Sequence, residues 1–245
     1  MSGPAPDAPG AVTHRRLPAR RGGLRMSSWW GRAWLRAVEE AAYSPEDLAA
    51  GRAIARSGRV GRITVDAGGF LAAVEDDSEA WTVVGAVPVL DAAGADAFVE
   101  TVAAESGRVA ALMAGDLPHA LVEHAEEAGV ELLPYGGELG ATCTCDAWTD
   151  PCPHALGVLL QLGLLLDEDP FVLLHLRGLA REDLLARLHA LSTSGEQAQQ
   201  TGAQGEDSGD AVEHDLDAGI DAVERARRVL ELLEQDPTHG IEHLL

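Results

Sequence analysis

All three cysteines of this 245-residue chain lie within twelve consecutive positions, together with one histidine. The stretch reads Cys143-Thr-Cys-Asp-Ala-Trp-Thr-Asp-Pro-Cys-Pro-His154, so the four groups form two pairs with the spacings Cys-x-Cys and Cys-x-His. Zinc prefers four such ligands arranged as a tetrahedron, and two closely spaced pairs meet that demand. The cluster therefore requires two separate chain segments to converge on one point.

The residues around the cluster favour this convergence. Cys143 and Cys145 share one face if the chain is extended, because a strand returns to the same face every second residue. Aspartate and proline between the two pairs are typical of a tight reversal, and Pro153 suits the first position of a helix. The positive end of that helix favours the thiolate form of Cys152. The sequence therefore predicts one structural Zn²⁺ bound by Cys143, Cys145, Cys152 and His154.

The sequence leaves three other interpretations of the cluster open. A redox pair usually has the spacing Cys-x-x-Cys and follows a βαβ unit, and neither is found here. A catalytic cysteine with His154 as its base fits the residue types, but no third group that would orient the histidine is evident. Buried cysteines without a function are the third alternative. Metal binding is favoured, and four protein ligands leave no position for an activated water, so we expect no catalytic role.

The distribution of charge restricts the partners. The net charge is −22, yet residues 1–62 hold eleven arginines against five acidic residues, whereas residues 63–245 hold seven against thirty-five. Affinity for nucleic acid rests largely on neutralised phosphates, so a contact with DNA would have to use the arginine-rich residues 15–36. The absence of lysine and the abundance of alanine, glycine and arginine are typical of a GC-rich bacterial genome.

The chain carries no signal for a membrane. No apolar run reaches the roughly 18 residues that a membrane span needs. The N-terminus lacks the cationic and then apolar regions of a secretory signal. We therefore expect a cytoplasmic protein without a membrane partner, and a reducing compartment favours metal binding by the cysteines over disulfide formation.

The apolar pattern predicts an α+β fold, with helices packed on a small antiparallel β-meander. Apolar residues at helical spacing over Trp29–Ala42, and the helix-starting sequence Ser44-Pro-Glu-Asp47, indicate two helices. The period then changes to two, in β-rich runs with short connections. These runs are Val60–Asp66, Phe70–Glu75 and Trp81–Val89. Helical patterns follow, and a further strand is expected at Val130–Leu133.

Shifts in composition divide the chain into five regions. Arginine, proline and glycine without an apolar period predict a flexible leader, and a stretch rich in glycine, serine and glutamine predicts a disordered linker. Apolar residues three to four positions apart predict an amphipathic C-terminal helix. The regions are the leader (1–27), an N-terminal α+β region (28–139), the zinc finger with the helices after it (140–191), the linker (192–211) and the C-terminal helix (212–245).

Residues 29–191 resemble bacterial SWIM zinc finger family proteins. The resemblance rests on the Cys-x-Cys and Cys-x-His pairs and on four other stretches: Trp29-Trp-Gly-Arg-Ala-Trp34, Gly51-Arg-Ala-Ile-Ala-Arg-Ser-Gly-Arg-Val60, Leu166-Asp-Glu-Asp-Pro-Phe171 and Leu176-Arg-Gly178. It implies a ββα finger, in which a short hairpin precedes a helix, and a role in binding DNA or protein, sometimes beside helicase-like ATPases. One departure bears on DNA contact, because the family often has a basic residue where this chain has Pro153.

These observations lead to one leading hypothesis and two alternatives. We expect a non-enzymatic zinc-binding SWIM-type module that mediates protein or DNA interactions as an adaptor for a helicase-type partner. The first alternative is direct nucleic-acid binding by a phosphate-seeking arm, formed by Arg15, Arg16, Arg20, Arg21 and Arg25. The second is an enzyme of unknown type, which would need a deep pocket lined by titratable groups away from the zinc.

Overall fold

Five strands form one antiparallel sheet in the order β1-β2-β3-β4-β5. The computed structural model describes residues 10–76 and 79–202, with residues 195–202 described by their backbone alone. The strands are β1 (Val12–His14), β2 (Val60–Asp66), β3 (Gly69–Asp76), β4 (Glu79–Ala86) and β5 (Gly140–Cys143). Strands β2, β3 and β4 are the predicted meander. Burial alternates along much of β3 and β4, whereas Ile63, Thr64 and Val65 of β2 are all buried.

Eight helices accompany the sheet in the described residues, and together they confirm the predicted α+β class. They are α1 (Trp29–Ala41), α2 (Pro45–Ser57), α3 (Ala92–Ala103), α4 (Ser106–Met113), α5 (His119–Glu127), α6 (Pro153–Glu168), α7 (Pro170–Leu176) and α8 (Arg181–Gly202). Helix α2 begins as its sequence predicts and ends at a glycine. Ser44 accepts a hydrogen bond from the Asp47 N–H, Pro45 takes the first position, and Gly58 ends the helix in the left-handed region at φ 75°.

The core is built around α6, whose residues 155–166 are all buried. Trp30 and Trp34 on α1 lie against it, and their indole N–H groups donate to the Leu166 and Leu159 carbonyls at 2.7 and 3.0 Å. These tryptophans therefore pack rather than present a surface for bases. Helix α2 approaches α6 so closely that a Cβ on Gly157 would lie 2.7 Å from Ile54 Cγ2.

A carboxylate at the far end of α6 fixes the start of α1. The two oxygens of Asp167 accept four hydrogen bonds, from the backbone N–H and hydroxyl groups of Ser27 and Ser28, at 2.6 to 3.0 Å. A Cβ on Gly31 would overlap one of these oxygens, so the contact favours glycine at that position. Asp167 thereby links the N-terminus of α1 to the C-terminal turn of α6.

The predicted flexible leader differs from what the structure places at residues 10–27. Strand β1 pairs with β2, and Leu17 and Met26 are 7% exposed within the core. The leader has no apolar period, but the pairing of β1 and these two isolated side chains attach it to the domain. Residues 1–9 lie outside the described residues.

The strand predicted at Val130–Leu133 is wrong. Val130 and Leu132 are buried, but the segment has no strand partner. Its backbone groups are satisfied in other ways, because the Val130 N–H donates to the Ala125 carbonyl at 2.8 Å and Arg177 donates to the Glu131 carbonyl at 2.7 Å. Residues 130–133 therefore bury apolar side chains without joining the sheet, because the end of α5 and the Arg177 side chain supply hydrogen-bond partners for their backbone.

The C-terminal regions differ from the prediction in part. Helix α8 continues to Gly202, so it occupies residues 192–202 of the predicted linker. Alanine, glutamine and glutamate in this stretch are good helix formers, which accounts for the later end. The rest of the linker and the predicted helix at 212–245 lie outside the described residues. The described residues up to 192 form one compact unit.

No helix among the described residues has the length and apolar character needed to cross a membrane.

Candidate metal centre

Strand β5 carries the first pair of predicted ligands. Cys143 ends this strand opposite Val83 of β4. Pairing continues one residue further, because Thr144 N–H donates to the Thr82 carbonyl at 3.0 Å and Thr82 N–H donates to Thr144 Oγ1 at 2.9 Å. Cys143 and Cys145 therefore flank a residue that is held on both its backbone and its side chain.

The partner strand differs from the one that the family resemblance implied. A hairpin within the finger was expected, but residues 144–152 form bends and irregular backbone, and β5 pairs instead with β4. Aspartate and proline between the two pairs disfavour a second strand there. The two strands and the helix of the finger are therefore β4, β5 and α6, and helices α3 to α5 separate β4 from β5 along the chain.

The start of α6 carries the second pair. Cys152 is the residue before the helix and is buried, Pro153 takes the first helical position as predicted, and His154 follows it. Leu156 N–H donates to the Cys152 carbonyl at 2.8 Å, which closes the first turn. Because α6 is also the central helix of the core, its packing fixes the direction in which Cys152 and His154 point.

The four predicted ligands come together in space. One ligand atom from each of Cys143, Cys145, Cys152 and His154 lies within 4.8 Å of the other three. The Cys145 and Cys152 sulfurs are 3.5 Å apart, and Cys143 Sγ lies 3.9 Å from His154 Nδ1. Tetrahedral ligands at zinc–sulfur distances of about 2.3 Å are separated by about 3.8 Å. The donor set and its spacing therefore fit zinc, with Nδ1 as the nitrogen that faces the centre.

The three thiols differ in acidity. A hydrogen bond from the Cys143 thiol lowers the pKa of Cys152 to about 5, and the backbone N–H groups of Ala155 and His154 support this shift against the opposing effect of burial. The same hydrogen bond to Cys152, together with burial, raises the pKa of Cys143. Burial also raises the pKa of Cys145. Zinc binds cysteines as thiolates, so binding of the metal releases the remaining thiol protons.

A carboxylate outside the cluster holds the histidine. Asp76 Oδ2 lies 3.2 Å from His154 Nε2, and its other oxygen accepts from Arg59. The ring of Trp81 lies 6.2 Å from the imidazole at an interplanar angle of 31°. Histidines that bind metals usually donate their second N–H to a carboxylate. Asp76 therefore fixes the tautomer that presents Nδ1 to the zinc.

Sequence reasoning did not find this residue. Asp76 lies 78 residues before His154 in the sequence, in an acidic stretch between two predicted strands. Chemistry gave one indication of such a residue, because an imidazole that binds a metal through one nitrogen needs a hydrogen-bond acceptor for the N–H of the other. A catalytic cysteine with His154 as its base would need a third group to orient the histidine, and Asp76 could fill that role. A carboxylate–histidine pair is also usual around zinc. Three sulfurs close to one centre favour the metal site over the catalytic one.

A cavity of about 450 Å³ lies at the opposite end of α6. Its charged lining comes from His14, Arg15, Glu168, Asp169 and Arg181, above an apolar floor. Burial lowers the pKa of His14. This is the kind of cavity that the enzyme hypothesis requires. Its lining includes no serine, threonine, cysteine or lysine, so a nucleophile there would have to be a carboxylate or His14.

Comparison with known proteins agrees with the geometry. The family model of the SWIM zinc finger matches residues 128–163, which include all four ligands. A Mycobacterium tuberculosis protein, uncharacterized protein Rv2102, is 30% identical over 175 residues, which are 71% of this chain and 63% of that protein. The chain thus aligns with less than two thirds of that relative's length. No solved structure matches the chain. The chain contains a SWIM zinc finger, in which three cysteines and one histidine hold one structural zinc ion.

Proposed function

We propose that this protein is a non-enzymatic adaptor, whose zinc finger mediates binding to a helicase-type partner in DNA transactions. The observation that carries the proposal is the closed donor set at the metal. Three sulfurs and one nitrogen complete a tetrahedral shell, so no position is left for a substrate or an activated water. A metal bound in this way stabilises the chain around it, and the finger then serves as a shaped surface.

Charge favours a protein as the partner of the finger itself. Asp146 and Asp150 are exposed on the loop between the two ligand pairs, and Pro153 stands where a basic residue would meet a phosphate. Acidic groups at these positions repel the backbone of DNA. The proposal includes a cytoplasmic location, because three free cysteines at a zinc site suit a reducing compartment.

Affinity capture from the native cell tests the adaptor role. The full chain, loaded with zinc, is used as bait, and bound proteins are identified by mass spectrometry. We expect a helicase-type ATPase to be recovered, to disappear when a chelator removes the zinc, and to return when Zn²⁺ is restored. Capture that does not depend on zinc, or that yields no such ATPase, would contradict the proposal.

Direct binding of nucleic acid is the second candidate, and the arginines near the N-terminus support it. Arg15, Arg20, Arg21 and Arg25 are exposed and form no ion pair with another described residue, whereas Arg16 binds both oxygens of Glu75. Four such groups could neutralise several phosphates.

Replacement of these four arginines by alanine tests the second candidate better than deletion of residues 1–27, which would remove buried Leu17 and Met26. If the arm binds nucleic acid, affinity for duplex or single-stranded DNA falls steeply with salt and is lost in the fourfold variant. The matched control is Arg187→Ala, which removes an exposed arginine of α8. Binding that is absent, or unchanged by salt and by the four substitutions, excludes this candidate.

A further inference from the structure

Trp148 differs from the other tryptophans of the chain. Its side chain is 80% exposed, the largest value among the exposed apolar residues of the described part of the protein. The other four are buried or half-buried. Trp29, Trp30 and Trp34 donate their indole N–H groups to backbone carbonyls, and Trp81 lies beside a zinc ligand. Leaving so large an apolar side chain in water serves neither the core nor the metal.

A second exposed aromatic ring lies beside it. Tyr43, in the turn between α1 and α2, is 66% exposed, and its ring centroid is 4.9 Å from that of Trp148 at an interplanar angle of 77°. Edge-to-face pairs at this distance attract one another. The two rings therefore form one aromatic surface, which we call the Trp148–Tyr43 pair, from segments about a hundred residues apart in sequence.

The zinc finger holds this surface in place. Trp148 lies between the ligands Cys145 and Cys152, so the loop that carries it is attached to the metal at both ends. The next residue, Thr149, is buried at 6% exposure and attaches the middle of the loop. A side chain presented on a constrained loop loses little conformational entropy when it binds a partner.

The surroundings of the pair are uniformly acidic. The segments within four residues of either ring contain six acidic residues and no arginine or lysine. Two of the six have described partners, since Glu39 binds Arg52 and Asp47 accepts from the Ser44 hydroxyl. The other four are exposed: Glu40, Glu46, Asp146 and Asp150. The Trp148–Tyr43 pair thus lies within a negative field.

We infer that the Trp148–Tyr43 pair is a docking surface for a cationic segment of a partner protein, in which an arginine or lysine packs on the aromatic rings. The inference rests on the proposed adaptor function and names its contact surface. Cations bind over aromatic faces, most strongly over tryptophan, and nearby carboxylates add attraction. The same field repels nucleic acid.

Titration of the full, zinc-loaded chain with model peptides tests the inference. The probe is a dye-labelled twelve-residue peptide of alternating glycine and arginine, and the neutral control carries citrulline in place of arginine. We expect the arginine peptide to bind with an affinity that falls with salt, and the citrulline peptide not to bind. Trp148→Ala weakens binding about two- to fivefold, and Trp148→Phe lies between the two. Combining Trp148→Ala with Tyr43→Ala weakens it further.

Tyr135→Ala is the matched control, because Tyr135 is also an exposed aromatic residue with acidic neighbours but lies outside the finger loop. It should leave the affinity unchanged. Equal affinity of wild type and Trp148→Ala for the arginine peptide would overturn the inference. So would binding of single-stranded oligothymidylate that is lost in Trp148→Ala, because that result identifies the pair as a base-stacking surface.

Zinc content distinguishes the two ways in which these ideas can fail. If Trp148→Ala retains one zinc and binds the peptide like wild type, the proposed docking surface is contradicted. The proposed adaptor function is not affected by that result. If the wild-type protein captures cellular partners equally with and without zinc, the proposed adaptor function is contradicted. This holds for any result of the peptide titration.

Discussion

Asp76 Oδ2 lies 3.2 Å from His154 Nε2, so the last residue of β3 holds a zinc ligand at the start of α6. The contact joins β3 to the metal site, in addition to the ligand Cys143 at the end of β5. Because Arg59 binds the other oxygen of Asp76, the carboxylate is itself held in position. A chain of three side chains thus leads from Arg59, the residue before β2, to the zinc ligand His154.

Asp76→Asn tests this contact. The amide keeps the shape of the side chain but loses the charge that orients and polarises the imidazole, so zinc affinity should fall about 10- to 100-fold. Competition with a chromogenic chelator measures the change. Glu75→Gln is the control, because Glu75 is the adjacent acid and binds Arg16 instead. Equal affinities in wild type and Asp76→Asn would show that Asp76 does not support the site.

Removal of one sulfur tests the ligand set. Cys145→Ser should lower the zinc content from about one per chain to near zero, because a serine hydroxyl is a poor zinc ligand. The loss should also increase hydrogen exchange over residues 140–166, where β5 and α6 depend on the metal. Elemental analysis and exchange mass spectrometry measure the two effects. Thr142→Ser, at an exposed neighbouring position, serves as the control; full zinc retention in Cys145→Ser would contradict the assignment.

Asp167 makes the attachment of α1 to α6 sensitive to acid. Burial raises the pKa of this carboxyl, but the hydrogen bonds from Ser28 and Ser27 outweigh it, and the net pKa lies below its usual range. Its stabilising effect is therefore complete above the unfolded value of about 3.9, and it is lost as the pH falls through the lower folded-state pKa. Asp167→Asn should lower the free energy of unfolding by about 1 to 2 kcal/mol at pH 7.

Urea unfolding of both proteins at pH 7 and near pH 3 measures this effect. The difference between wild type and Asp167→Asn should shrink at the lower pH, because protonation removes the charge from the wild-type side chain as well. Release of zinc in acid affects both proteins alike and cancels in the comparison. A difference that stays the same at both pH values would show that the charge of Asp167 does not contribute.

Two Gly→Ala substitutions distinguish the effect of close helix packing on stability from the effect of helix propensity. Gly157→Ala places a Cβ 2.7 Å from Ile54 Cγ2, and overpacking of this kind should lower the free energy of unfolding by about 1 to 2 kcal/mol. Gly107→Ala in α4 meets no atom within 4 Å, so it should raise stability by up to about 1 kcal/mol through better helix propensity. Denaturant unfolding measures both, and a stabilising Gly157→Ala would show that α2 and α6 can separate without cost.

The sequence was most informative where chemistry is local. The four ligands, the start of α6 at Pro153 and the caps of α2 all depend on residues within a few positions of one another, and the structure places them as expected. Asp76 could not be found in this way, because its contact with His154 depends on how the sheet meets α6. The pairing of β5 with β4 was missed for the same reason, since three helices separate the two strands along the chain.

The pairing of β4 with β5 also means that the finger is not a continuous segment that could be expressed separately. One of its strands comes from the middle of the N-terminal half, and its helix is the central helix of the core. A peptide covering residues 128–163 would keep every zinc ligand but lose β4, Asp76 and the helices that shield α6. Zinc binding therefore depends on the intact domain. Loss of zinc should loosen the packing of the core around α6 as well as the loop that carries the ligands.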